Sequence, residues 1–262
     1  MKQIIFLAGF ILSSALAFPP AGPLTDYGPA KMAGAIFFDH SGQDIFEGAE
    51  ETESILNTGG FHLSYAPFKM VQLGLYVGGA EFDHHAPANK PDTAYFDSEF
   101  KITGGATGKL VSPHFLYDKA RVFVYGMAGY LEAKDTYQNV RQLNVYQSGI
   151  GFQFQIMKSL NAALGFEAFF IDGNQANTSV GLGENPFGIN TPYRGMISLE
   201  YYPKTYRDLW ENQPFFSITV RGAPGIGLDN NLGLKNASIA VSVGMITNFL
   251  YGKYKEREDE TF

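Results

Sequence analysis

The segment LNVYQSGIGFQFQIMKSLNAALGFEAFFIDG, residues 143–173, sets Ile150, Phe152, Phe154 and Ile156 on one face of an extended chain and Gln147, Gly149, Gly151, Gln153 and Gln155 on the other. After a short break the pattern resumes. Leu160, Ala162, Leu164, Phe166, Ala168 and Phe170 oppose Asn161, Ala163, Gly165, Glu167 and Phe169. Successive strand side chains point to opposite faces, so this alternation describes a sheet with two different surroundings. The same asymmetry recurs in 237–251, where Ile239, Val241, Val243, Met245 and Phe249 oppose Ser238, Ser242, Gly244 and Asn248. In 214–222, Phe216, Ile218 and Val220 oppose Ser217, Thr219 and Arg221. The second face is mostly small and polar, where a water-facing strand would be richer in Lys and Glu. In hydrocarbon every backbone N–H and C=O must be paired within the protein, and a sheet achieves this only by closing on itself. The pattern therefore predicts a barrel with Phe, Ile and Val toward lipid and small polar residues crowding a narrow bore.

Composition agrees with that solvent. Charged residues are 17% of the chain, against about a quarter in soluble domains, and Phe (23), Tyr (15) and Gly (30) are abundant. After the first twenty residues no apolar run approaches the roughly 20 residues of a membrane helix. The net charge of −7 excludes a general nucleic-acid binder, which needs a basic patch. The start, MKQIIFLAGFILSSALAFPPAG, has Lys2 as a positive n-region, an apolar core from Ile4 to Leu12, and Ala15-Leu16-Ala17 in the small-x-small cleavage pattern. It reads as a signal peptide over 1–17, followed by a barrel domain over 18–262. The competing reading, an anchor helix, is disfavoured by the short apolar core. With no cysteine, a disulfide-stapled secreted domain is excluded, as is a lipoprotein.

Gly, Asn, Asp and Pro clusters divide the remainder into ten predicted strands near 30–38, 56–65, 71–82, 99–111, 120–131, 142–156, 160–171, 194–202, 214–222 and 237–251, with eight or twelve as alternatives. The connections alternate long (39–55, 83–98, 132–141, 172–193, 223–236) and short (66–70, 112–119, 157–159, with 203–213 the longest of its set). Long loops at one rim and tight turns at the other are the pattern of a membrane barrel. A soluble sandwich, the rival fold, has no reason for it. An even strand number puts both chain ends on the periplasmic side, in keeping with a signal peptide at one end and the charged tail KYKEREDETF at the other. Tyr65, Phe68, Tyr76, Tyr130, Tyr146, Tyr201, Tyr202, Phe215 and Tyr251 lie near strand ends, where aromatic girdles belong.

On these features the mature chain resembles the small, monomeric bacterial outer-membrane β-barrels, a closed antiparallel up-and-down fold. The final strand, ASIAVSVGMITNFLYG, resembles the C-terminal strand read by the barrel-assembly machinery, with Ser242, Gly244 and Phe249 at matching places; an acidic tail then follows it, where that pattern ends on an aromatic residue. The resemblance implies outer-membrane residence, contact with lipid and lipopolysaccharide, and insertion by the assembly machinery.

Signatures of known chemistry are missing: there is no P-loop, GxSxG or HExxH motif. GGATG (104–108) and GLGENPFG (181–188) introduce no helix and suit packing and turns better than phosphate binding. No cofactor is implied. One cluster carries metal-ligating residue types: Asp39 and His40 after the first strand, and Asp83, His84 and His85 after the third, all expected on one rim. Outer-membrane rim proteases, also ten-stranded, activate water with Asp and His pairs, but their motifs are not matched here residue by residue. The long first connection is acidic, with Asp44, Glu47, Glu50, Glu51 and Glu53, and suits divalent cations shared with lipopolysaccharide phosphates. Parity places His62, Lys101, Lys109, Gln147, Gln153, Glu167, Arg194, Glu200 and Arg221 toward the bore, where charges must pair. The leading reading is a non-enzymatic structural or surface-binding envelope protein acting through long acidic loops. The alternatives are a narrow solute channel, a rim hydrolase and a soluble exported sandwich.

Overall fold

In the computed structural model the alternating segments are strands. The structure describes residues 31–47, 50–84, 96–97, 100–116, 119–134, 139–177, 185–189, 193–203, 212–228 and 234–248. In chain order the strands are β1 (Lys31–Glu47), β2 (Glu50–Phe68), β3 (Val71–His84), β4 (Phe96–Asp97), β5 (Lys101–Val111), β6 (Ala120–Lys134), β7 (Asn139–Met157), β8 (Leu160–Asn177), β9 (Asn185–Ile189), β10 (Tyr193–Tyr201), β11 (Gln213–Leu228) and β12 (Leu234–Asn248). Ten long strands, all but β4 and β9, pair antiparallel with their neighbours to form a closed barrel. Closure is made by β1 against β12, from Lys31↔Asn248 to Gly42↔Ala237. Among the described strands the wall thus has no free edge along the β1–β12 seam, as a membrane span requires.

The faces fall as the alternation demands. Phe152, Phe166 and Phe170 point outward, with Phe166 76% exposed, and so do Leu73, Leu75, Ile102 and Val243. Gln147, Gln153, Asn161, Glu167, Ser217, Thr219, Ser238 and Ser242 are buried inside. A soluble sandwich would show the reverse. With apolar side chains outside a closed wall, the barrel is membrane-spanning. The tight turns are short: Lys69–Met70 joins β2 to β3, and Lys158–Ser159 joins β7 to β8.

The long connections differ from expectation. The stretch 39–55 is mostly ladder, since β1 and β2 remain paired from Gly42↔Ile55 to Glu47↔Glu50, and only residues 48–49 lie outside the described strands. Strand β4 falls inside the expected loop 83–98 and β9 inside 172–193. Strand β9 has a distinct place in the wall. It pairs with β8 at Asp172–Gln175 and with β1 at Ile45–Glu47, beyond the levels where β10 leaves β8 (Ala168) and β12 leaves β1 (Gly42). One strand therefore spans there what β10, β11 and β12 span below. At about 4.8 Å between neighbours, the β8-to-β1 width drops from roughly 19 Å to roughly 10 Å, and the wall narrows toward the long-hairpin rim.

The bore is less uniformly polar than its sequence suggested. Phe37, Leu56, Phe82, Leu131, Leu143 and Phe169 belong to an apolar cluster that reaches toward the long-hairpin rim. Ala33, Ala66, Tyr202, Phe215 and Ile246 form another toward the tight-turn rim. Among the aromatics expected in girdles, Tyr65, Phe68, Tyr130, Tyr146 and Tyr201 are exposed outside, whereas Tyr76, Tyr202 and Phe215 are buried in the bore. Tightly packed inward positions accept any side chain that fits, so residue type alone does not separate lumen from girdle. Tyr251 lies outside the described residues, as do 1–30 and the C-terminal tail from 249.

Candidate functional site

Between the apolar ends lies an ionic cluster built from seven strands. Arg221 of β11 pairs with Asp39 of β1, reaches Ser238 Oγ of β12 at 3.2 Å, and directs Nε to Glu167 Oε2 of β8 at 3.2 Å. Arg194 of β10 pairs with Glu167 Oε1 at 2.5 Å, reaches Ser41 Oγ at 3.5 Å, and stacks over the Phe169 ring at 4.2 Å. Tyr125 of β6 donates its hydroxyl to Glu167, and Gln147 Nε2 of β7 donates to the same oxygen at 2.7 Å. Two guanidiniums face two carboxylates, so the cluster balances its own charge. Arg221 is 2% exposed. Burying such groups is costly unless pairing is complete, because each loses its water. That neutrality is what allows four charges to occupy the middle of a membrane barrel.

Glycine lets the bore be filled so densely. A Cβ at Gly129 would fall on the Tyr76 hydroxyl, and a Cβ at Gly74 would lie 2.6 Å from His62 Nε2. The bare backbone of β3 at Gly74 is what lets His62 of β2 reach Thr107 Oγ1 of β5, at 2.9 Å. Beside this pair the described side chains leave a cavity of about 10 Å³, bordered by His62, Gln72, Thr107, Lys109 and Gln147 among others. Lys109 lies 5.3 Å over the Phe123 ring. Gln153 is buried opposite Arg121 on the β6–β7 ladder, Glu200 accepts the Tyr202 hydroxyl, and Lys101 opens β5 opposite Ala80.

The metal-type residues are placed only in part, since the side chain of His84 lies outside the described residues. Asp39 faces inward, while His40, its neighbour in the strand, faces outward and lies 2.7 Å from Asn57 Oδ1. Asn57 in turn donates to Glu81 at 3.3 Å, so a polar row crosses β1, β2 and β3 on the outside. Asp83 lies opposite Ile55 and Asp97, and His84 closes β3 opposite Ser54 and Phe96; His85 is outside the described residues. Among the described residues no three His, Asp or Glu groups gather as a metal site. The acidic residues of the first connection are ladder positions: Asp44 is opposite Glu53, and Glu47 opposite Glu50, while Glu51 is opposite Phe46. Sequence reasoning missed Tyr125 and Arg121 in the bore. Their parity with Phe123 and Met127 was the available signal.

No family model matches the sequence, and no curated protein matches it. The chain is similar in fold to an outer-membrane channel from Pseudomonas putida F1, at 9% identity over 88% of this chain and 99% of that one, with a TM-score of 0.46. It is similar to the translocator domain of the autotransporter NalP from Neisseria meningitidis, at 11% identity over 86% and 90%, with a TM-score of 0.45. A third likeness is to the N-terminal β-barrel domain of Pseudomonas aeruginosa OprF, at 11% identity over 83% and 98%, with a TM-score of 0.32. The likeness is one of fold, and fold does not carry function. The class that this architecture defines is the small, closed, membrane-spanning antiparallel β-barrel.

Proposed function

We propose that the protein is a closed outer-membrane barrel, a structural or surface-binding component of the envelope that acts through its long-hairpin rim. The supporting observation is the filled bore: the Asp39–Arg221–Glu167–Arg194 cluster spans it, with apolar packing toward both rims. Eight-stranded barrels are filled by side chains and sixteen-stranded ones leave a channel; ten strands lie near the filled end. In this reading residues 1–17 are a cleaved signal peptide, both chain ends are periplasmic, and the barrel is inserted by the assembly machinery as a monomer. Its acidic β1–β2 hairpin stands at the cell surface beside lipopolysaccharide, where divalent cations bridge carboxylates and phosphates. The test is planar-bilayer recording on protein whose heat-modifiable gel migration shows it folded. Absence of conductance steps is the expected result.

A narrow channel is the second reading, favoured by the polar cavity and the charged lining beside it. For solutes to pass, Arg221 and Arg194 must part from Glu167. Discrete conductance steps in the unmodified protein, altered by R221M or E167Q, decide for this reading and against the closed one.

A further inference from the structure

The tight-turn rim carries a surface patch that has no part in the bore. Three of its turns follow one another around the wall: Lys69–Met70 between β2 and β3, the stretch 112–119 between β5 and β6, and Lys158–Ser159 between β7 and β8. Backbone bonds tie them together, from Val111 N–H to Met70 O at 2.9 Å and from Gln155 N–H to Lys119 O at 2.8 Å. Each turn supplies one exposed lysine, Lys69, Lys119 or Lys158. Successive turns are two strand spacings apart, roughly 10 Å. Exposed Met70, Phe115, Leu116 and Met157 lie among these lysines. No Asp or Glu occurs among the described residues of the three turns, from which Tyr117 and Asp118 are excluded.

Leu116 is held at φ 52°, a left-handed backbone that suits Gly or Asn and disfavours a bulky side chain. The turn fixes it there. Phe115 and Ala120 exchange both backbone bonds, at 2.8 and 3.1 Å, and Lys119 N–H donates to Leu116 O at 3.2 Å. The side chain presented in this way is 63% exposed. In water, a strained backbone displaying an apolar group is unfavourable on both counts. Among acyl chains, burial of the leucine offsets the strain. The patch continues the lipid-facing wall, where Leu73, Leu110 and Phe152 of the same strands are exposed. Lysines at such a boundary lay their stems along apolar surface and extend the ammonium to headgroup level, where an anionic leaflet attracts them. We propose that this rim binds anionic phospholipid headgroups, with Lys69, Lys119 and Lys158 meeting the phosphates while Phe115, Leu116 and Met157 enter the acyl boundary. This needs only that the barrel spans a bilayer, whichever reading of the bore holds.

The experiment is native mass spectrometry of the folded full-length barrel, its fold checked by heat-modifiable gel migration, released from micelles containing equal amounts of phosphatidylglycerol and phosphatidylcholine. Each lysine near an anionic surface is worth about fivefold in affinity. Phosphatidylglycerol should therefore be retained over phosphatidylcholine by on the order of 100-fold if all three lysines act. The ratio should fall about fivefold in K119Q and approach one in K69Q/K119Q/K158Q. If the triple variant does not fold, K119Q carries the comparison. L116G, which suits the left-handed backbone, should keep the preference for phosphatidylglycerol but carry less of both lipids. Equal retention of the two lipids by the parent overturns the proposal, as does a preference unchanged in K119Q and the triple variant, or full lipid occupancy in L116G. Displacement of phosphatidylglycerol by inorganic phosphate, at an ionic strength where sodium chloride leaves it bound, marks a free-anion site and overturns it too.

Discussion

Asp39 of β1 and Arg221 of β11 are 182 residues apart in sequence and form an ion pair inside the barrel, across the intervening strand β12. The pair straddles the seam where the first and last strands meet, and it exists only once the ring is closed. Removing one partner leaves a buried charge uncompensated, at a cost of about 3–5 kcal/mol. We expect D39N and R221M each to lower the unfolding free energy of the barrel, measured by urea titration, by an amount in that range. The double variant D39N/R221M should lose less than the sum of the two, because it leaves no orphan charge between them. Additive losses would show that the pair contributes nothing as a pair.

The glycine positions facing the bore make a second expectation. Replacing Gly129 by alanine sets a methyl group on the Tyr76 hydroxyl, and overpacking of this kind typically costs about 1–3 kcal/mol. G129A should therefore destabilise the barrel, and adding Y76F should recover part of the loss. Equal stability of G129A and the parent, measured by denaturant unfolding, would mean that the ring moves aside freely. At Gly108, where a Cβ meets nothing nearer than Leu73 at 4.0 Å, alanine should be close to neutral.

These two cases mark how far the sequence could be read. The two faces of β7, β8 and β12 were legible because lipid and bore demand different side chains at every second residue. Glu167 and Arg221 could be assigned to one face by parity, but their meeting could not, since it depends on which strands the closure makes neighbours. Asp39 was illegible for a local reason: Ile36, Phe37 and Phe38 run without alternation, so the strand looked finished where it continues to Glu47. Phe82, Leu131 and Leu143 inside the barrel look like lipid-facing residues, because both environments are dry. Strand β9 pairs with strands on both sides of it, β8 and β1, and its own five residues carry no sign of that.

The outward face yields a depth-dependent expectation. Phe166 lies mid-strand on β8 and is 76% exposed on the outside, whereas Phe68, 68% exposed, ends β2 at the tight-turn rim. A lysine at the bilayer midplane costs about 2–4 kcal/mol, falling to about 0–1 near the interface. F166K should therefore reduce the free energy of folding into liposomes several-fold more than F68K. Similar small losses at both positions would place β8 in water and contradict the membrane span.

The β1–β2 hairpin combines an extended ladder with acidic residues at opposed register positions. Asp44 is directly opposite Glu53, and Glu47 directly opposite Glu50. Like charges opposed across an antiparallel pair destabilise it, and an opposite-charge pair is worth about 0.2–1 kcal/mol. The backbone pairing nevertheless continues to Glu47↔Glu50, and β9 adds a further set of partners at Ile45–Glu47. We expect amide hydrogen exchange at Ser54–Leu56 to be slow and a glutamate-specific protease to cut poorly at Glu53, unlike in a free loop. E53K should slow exchange there further by replacing repulsion with attraction. The gain should shrink as ionic strength rises, since exposed charges are screened over about 8 Å at 0.15 M salt. Added magnesium should protect the parent hairpin more than E53K if the opposed carboxylates share a divalent ion. Equal protection of the two proteins at every magnesium concentration would leave simple repulsion as the whole account of this register.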